Sequence, residues 1–220
     1  MTLRDVGKRH LGIIGAGKLG TTVARAALDV GYDVAISGSS SVERISLIVD
    51  VLAPGARVMT TSEVVEQSEV ILLAVPAHRF HELPRDLFDG KILIDAMNYW
   101  EPIDGINEEL ANAPRGTSVL VQDWFPSARV VKSFNQLGYH DVDEDRRLPY
   151  EKGRIAMAVA GDDVTAVATT MKLVDELGFD ALNVGPLDAG RALQPDGVVF
   201  GVALTANELS RLLWDEAKLA

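Results

Sequence analysis

The sequence predicts a doubly wound α/β fold with a mostly parallel sheet and a small helical C-terminal part. Three observations carry that expectation. Short apolar runs alternate with longer helical patterns through most of the chain. Several of the runs are apolar at nearly every position, as in parallel strands covered on both faces. The first run feeds into a glycine-rich turn, Gly15-Ala-Gly17-Lys-Leu-Gly20, and then a helix. Such alternation builds βαβ units and hence a parallel sheet.

In chain order the predicted strands are Leu11–Ile14, Val34–Ile36, a weaker run at Arg57–Thr60, Val70–Val75, Ile92–Ile94, Arg129–Phe134, Ile155–Ala160 and Ala181–Val184. Helical spacing fills Lys18–Val30, Ser41–Leu52, Ser62–Gln67, His78–Leu87, Asn107–Ala113, Ser118–Trp124 and Val164–Leu177. The connection Gln136–Arg154 is charged, contains Pro149 and shows no strand pattern. Connections of that length are usually lids or mobile excursions. No strand pattern follows Asp188. Val202, Ala206, Leu209 and Leu213 fall at i, i+4, i+7 and i+11, one face of a helix. That face packs either on the chain's own sheet or on a partner chain.

Composition narrows the function classes. The 220 residues suit one large core at roughly 100–200 residues per domain. Hydrophobic residues at 47% and charged residues at 24% exclude a disordered chain. Lys+Arg 21 against Asp+Glu 32 gives a formal net charge of −11, the wrong sign for a phosphate-backbone partner. The absence of cysteine excludes disulfides, thiolate zinc sites, iron–sulfur clusters and a cysteine nucleophile. The opening ten residues lack an apolar signal core. No run reaches about 18 uninterrupted apolar residues, so no membrane span and a cytoplasmic location are expected.

The glycine turn has the spacing G-x-G-x-x-G between a strand and a helix. Gly15 permits the tight turn, Gly17 lets a pyrophosphate approach the backbone, and Gly20 lets the helix pack close to the sheet. The helix N-terminus, with Ala16, Lys18 and Leu19, then offers N–H groups and positive dipole to phosphates. This predicts a dinucleotide-binding Rossmann domain over residues 1–185, followed by a helical segment over 186–220. An NAD-selective site usually carries Asp or Glu at the end of its second strand. Here that strand ends in Ser37-Gly38-Ser39-Ser40, and Asp33 stands too early. Hydroxyls and backbone N–H groups there suit a 2′-phosphate, and Arg44 on the next helical turn could add positive charge. NADP is therefore the expected cofactor.

Taken together, Gly15-Ala-Gly17-Lys-Leu-Gly20, Leu73-Ala-Val75-Pro76, Asp95-Ala-Met-Asn98, Val130-Val-Lys-Ser-Phe134-Asn135, Ala160-Gly-Asp-Asp163 and Gly185-Pro186-Leu187 resemble the NADPH:deazaflavin-coenzyme oxidoreductases. They also resemble the related dinucleotide-binding oxidoreductases. The resemblance implies a Rossmann domain with a small C-terminal part, often as a homodimer. It places Ala74, Val75 and Pro76 beside the cofactor's ribose and nicotinamide, and Asn98 and Asn135 in the same crevice. It puts Pro186 and Leu187 beside the ring of a second cofactor, which could be coenzyme F-420 (a deazaflavin), FMN or FAD. Two departures stand out: close relatives often carry Arg where this chain has Ser40, and Asn98 is followed by Tyr99-Trp100 where many relatives have Asn-Pro. Those two rings either stack on a flavin-like ring or pack in the core.

Hydride transfer between stacked rings needs alignment and exclusion of water more than acid–base chemistry. Asn98 and Asn135 are accordingly expected to position ligands, with no residue as acid or base. His78 and His81 are read as surface or lid residues, with a proton-handling role or a metal site as the alternatives. Asp162-Asp163 precedes a helix and reads as a cap. The expected function is hydride transfer between NADP(H) and a deazaflavin or flavin-type acceptor. The alternatives are a non-catalytic NADP(H) sensor and a ferric or small-substrate reductase.

Overall fold

The computed structural model describes residues 9–218 of the chain. The expectation about the opening ten residues falls largely on residues 1–8, outside the described residues. Eight strands form one sheet: β1 (His10–Ile14), β2 (Asp33–Ser37), β3 (Arg57–Val58), β4 (Val70–Leu73), β5 (Ile92–Asp95), β6 (Arg129–Lys132), β7 (Ala156–Gly161) and β8 (Asp180–Gly185). Their spatial order is β3-β2-β1-β4-β5-β6-β7-β8, doubly wound from β1. Strands β1 to β6 are parallel, β7 runs antiparallel to β6, and β8 is parallel to β7.

The alternation of side chains across each strand feeds two cores. Leu11, Ile13, Leu72, Ile92 and Ile94 face one layer, built by α1 (Lys18–Asp29), α2 (Val42–Leu52) and residues farther along the chain. Ile14, Ile71, Leu73 and Leu93 face the other, with α3 (Thr61–Gln67), Phe80, Phe88 and Phe125. That two-sided burial explains why the strands read as continuous apolar runs.

Several helices differ from their predicted extents. The stretch His78–Leu87 is two 3-10 turns, Ala77–Glu82 and Arg85–Phe88, separated at Pro84. Proline has no N–H to continue a helix. The region around Asn107 forms two single-turn pieces, α4 (Glu101–Asp104) and α5 (Glu108–Ala111), before α6 (Thr117–Trp124). Gln136–Arg154 is not a lid. It contains α7 (Tyr139–Glu144), whose Val142 is buried in the core shared with α1. Arg146 pins the rest, donating to the Asp29 carboxylate and to the Ala26 and Leu177 carbonyls.

Helix α8 (Val164–Glu176) begins at Asp163, whose Oδ1 accepts from Ala166 N at 2.7 Å, the predicted cap. A 3-10 segment follows β8 at Leu187–Leu193, and α9 (Ala206–Ala217) closes the described chain. Val202 precedes α9, so only part of the predicted stripe is helical. Leu209 is buried with Ala156, Ala158, Leu193 and Val199, so one side of α9 packs on β7 of the chain's own sheet.

The centre of the sheet holds one buried ion pair. Lys132 Nζ lies 3.2 Å from Asp95 Oδ2, and both side chains are essentially inaccessible. Asp95 also accepts from Ser118 Oγ at 2.6 Å and from Met97 N at 2.9 Å, while Lys132 donates to the Met97 carbonyl. Burial pushes the Lys132 ammonium below the usual lysine range, with Asp95 opposing the shift. The unfolded chain then binds the extra proton between the two values, so this group's contribution to stability rises with pH through that interval. We predict that Lys132→Met costs about 3–5 kcal/mol by leaving Asp95 buried and unpaired. It also removes that alkaline rise; denaturant unfolding at neutral and alkaline pH checks both.

Candidate functional site

The site is built first from backbone. Gly15 follows β1 with φ 123, a left-handed conformation that favours glycine. A Cβ at Gly15 would sit 2.3 Å from the Ala74 carbonyl, and one at Gly20 would sit 1.8 Å from the Gly15 carbonyl. Both glycines are required by close approach of strand, turn and helix. Gly17 is different: a Cβ there would meet nothing within 4 Å. It faces open space at the start of α1, which has no side-chain cap and no acidic residue in its first turn. The positive end of the helix is left for a ligand.

That open space is a cleft of about 440 Å³ at the carboxyl ends of β1, β2 and β4. Gly15, Ala16, Gly17, Gly38, Ser39, Ala74, Val75 and Pro76 line it, together with Ile14, Ile45 and Thr61. The sequence reading thus brought most of its cofactor residues to one cleft. Six others do not line it: Lys18, Leu19, Ser37, Ser40, Arg44 and Asn98. Ser37 is buried, with its Oγ 3.1 Å from Thr61 Oγ1 and its carbonyl accepting from Gly15 N. Ser40 and Arg44 are exposed and do not line the cleft. Arg79, Glu82 and Leu83, which the sequence reading did not single out, do line it. Their signal was position: they follow Val75-Pro76, just past the end of β4.

A second cleft of about 440 Å³ lies on the other side of the α1 N-terminus. Leu19, Asn98, Asn135, Tyr139, Phe200 and Gly201 are among its walls. Asn98 Nδ2 donates to the Asn135 carbonyl at 2.8 Å, and Asn135 Nδ2 donates to Asn98 Oδ1 at 3.1 Å and to the Leu193 carbonyl at 2.7 Å. Asn135 Oδ1 is buried and has no hydrogen-bond partner among the described residues. An unpartnered buried acceptor costs on the order of 1–3 kcal/mol unless something pairs with it. Phe134 holds φ 64 just before it, a strained conformation for a bulky residue and one that clusters at functional sites. Lys18 is drawn over the Tyr139 ring, 5.0 Å from its centroid, and so points away from the first cleft.

Pro186 and Leu187 line neither of these clefts. β7 and β8 run against β1 to β6, and Gly185 ends β8 level with Lys132, the last residue of β6, from where the chain turns back along the sheet. Pro186 is exposed there and Leu187 is buried against Val130. The two aromatic residues after Asn98 part company: Tyr99 packs against the core and donates to the Gly105 carbonyl at 2.9 Å, whereas Trp100 is half exposed. His78 and His81 sit near carboxylates, 3.6 Å from Asp104 and 3.9 Å from Glu109. No cluster of three or more metal-ligating side chains occurs among the described residues.

A Rossmann sheet with its glycine turn opening on a cleft defines the class, a dinucleotide-binding fold. Residues 10–99, less than half of the chain, match the model of the family described as NADP oxidoreductase, coenzyme F420-dependent. A Sinorhizobium meliloti protein of solved structure superposes with a TM-score of 0.76 at 23% identity, covering 92% of this chain and 98% of its own. A solved structure from Arthrobacter sp., assigned as an F420-dependent NADP-reductase, gives 0.69 at 21% identity, with coverage of 95% and 92%. The Escherichia coli K12 protein YjhV is 43% identical over 54 residues, which is 24% of this chain and 39% of that protein.

The glycines give a discriminating test. Gly17→Ala keeps the melting temperature within a few degrees, because its Cβ enters open space. It weakens NADPH binding by about tenfold or more, because that space is where the pyrophosphate approaches. Gly20→Ala instead lowers the melting temperature, read by thermal unfolding, because its Cβ meets the Gly15 carbonyl.

Proposed function

We propose that this chain is an NADP(H)-dependent oxidoreductase that moves hydride between the nicotinamide and a deazaflavin or flavin-type acceptor. The observation that carries the reading is that the start of α1 contributes to two clefts, with Gly17 lining the first and Leu19 the second. The family match over residues 10–99 supports the same chemistry. A dinucleotide fits the first cleft: bare backbone at Gly17 admits the pyrophosphate, and Ala74-Val75-Pro76 walls the ribose and nicotinamide side. The nicotinamide supplies or accepts the hydride when bound.

The chain's own work is alignment. The Asn98–Asn135 pair fixes one wall, and the open lone pairs of Asn135 Oδ1 suit an amide or ring N–H. Leu19 and Phe200 supply apolar surface against which a flat ring excludes water. Aligning two reactants in this way lowers the barrier without a protonating group.

Mixing the protein with NADPH and, in separate reactions, a deazaflavin, FMN or a ferric chelate is expected to give NADPH oxidation with a ring acceptor. The loss of NADPH absorbance reads it. Tight NADPH binding with no turnover by any acceptor would favour a sensor, and turnover with the ferric chelate alone would move the acceptor class. With the productive acceptor, Asn98→Ala is expected to lower kcat by about 10–100-fold through misalignment while changing the NADPH Kd little. Parallel steady-state and binding measurements separate the two effects.

A further inference from the structure

The first cleft contains a charge arrangement that none of its phosphate-binding glycines explains. Among its described lining residues Arg79 is the one cation and Glu82 the one carboxylate. They sit on the 3-10 turn after β4 and line the same space as Gly38 and Ser39, which follow the end of β2. In dinucleotide folds the end of β2 meets the adenosine ribose. Here that end offers no acid and no base of its own, and Arg44 lies outside the cleft.

The guanidinium is already arranged as an oxyanion receptor. Arg79 Nε lies 3.0 Å from both Glu82 oxygens, and Nη2 lies 2.6 Å from Oε2. A carboxylate presents to that fork the same edge of two oxygens that a phosphate would. The side chains are 39% and 59% exposed, so the pair is an exposed one and weak. An anion of higher charge arriving in the cleft can displace Glu82 at little cost.

We propose that Arg79 is the residue that reads the 2′-phosphate of NADP(H), and that Glu82 holds its guanidinium in place until the phosphate replaces it. The assignment rests on the reading of the first cleft as the dinucleotide site. It transfers the role expected of Arg44 to a residue on the other side of the cleft. Arginine serves here where lysine would not, because the planar fork meets two oxygens at once. Glu82 sets the selectivity as a competitor: it occupies the receptor against weak anions and yields to a dianion.

Titrating the full chain with NADPH and, separately, NADH tests this, with nucleotide fluorescence as the readout. Arg79→Ala is expected to weaken NADPH by roughly 10–100-fold, the loss of a charge-assisted contact, and to leave NADH within a few-fold. Arg79→Lys recovers part of the loss, and Glu82→Gln tightens NADPH. Arg44→Ala changes NADPH by about twofold or less, as an exposed substitution does. Equal weakening of both nucleotides by Arg79→Ala, no weakening of NADPH, or an NADPH-specific loss from Arg44→Ala instead would overturn the assignment. Failure of the wild-type chain to bind either nucleotide would overturn the dinucleotide reading itself, and so is a separate outcome.

Discussion

Close approach of main chain to main chain at the first crossover is the constraint on which the remaining architecture depends. At Gly15 the turn runs against the carbonyl of Ala74, and at Gly20 the helix runs against the carbonyl of Gly15. Neither position has room for a single methyl group. The contact locks the start of α1 to the ends of both β1 and β4, and it aims that helix end between two clefts. Gly17 alone among these three glycines is free of packing, so the space beside it belongs to a ligand and not to the fold. Stability and binding are thus divided between neighbouring residues of one short turn.

A second constraint operates beneath the crevice. The Asp95–Lys132 pair with Ser118 ties the ends of β5 and β6 to the backbone at Met97, one residue before Asn98. Gly190 packs against the stem of Lys132, where a Cβ would come within 2.9 Å. Burying an ion pair is expensive relative to apolar packing and is weak evidence for stability. Here it fixes the position of a loop that ends in a cleft residue, and the strained Phe134 turns Asn135 toward the same place.

The sheet was legible because parallel strands covered on both faces read as unbroken apolar runs, and the crossover was legible because its glycines are spaced by geometry. The cleft followed from those two facts, since residues at the carboxyl ends of parallel strands must border it. Reversal of β7 was not legible, because a buried strand carries no mark of its direction. That Arg79 lines the first cleft was not legible, because which residues share a cleft depends on the fold, whereas Arg44 was expected there from its place on the first helical turn after β2. Phe200 and Gly201 reach the second cleft from far along the chain, a neighbour relation created by tertiary folding. Gln136–Arg154 read as mobile because its anchors, Ala26, Asp29 and Leu177, are distant in sequence.

The same reversal brings the tail of the chain back over the crevice. Gly201 N donates to the Gln136 carbonyl and the Leu204 carbonyl accepts from Ala156 N, so Phe200 is held as a wall of the second cleft. The first cleft is lined by residues 14–83 alone, whereas the second takes part of its wall from Phe200 and Gly201, far along the chain. Mutations near the terminus can therefore reshape what the crevice admits without touching the pairing of the central strands. Descendants of such a scaffold are free to exchange redox partners while keeping one currency of reducing equivalents.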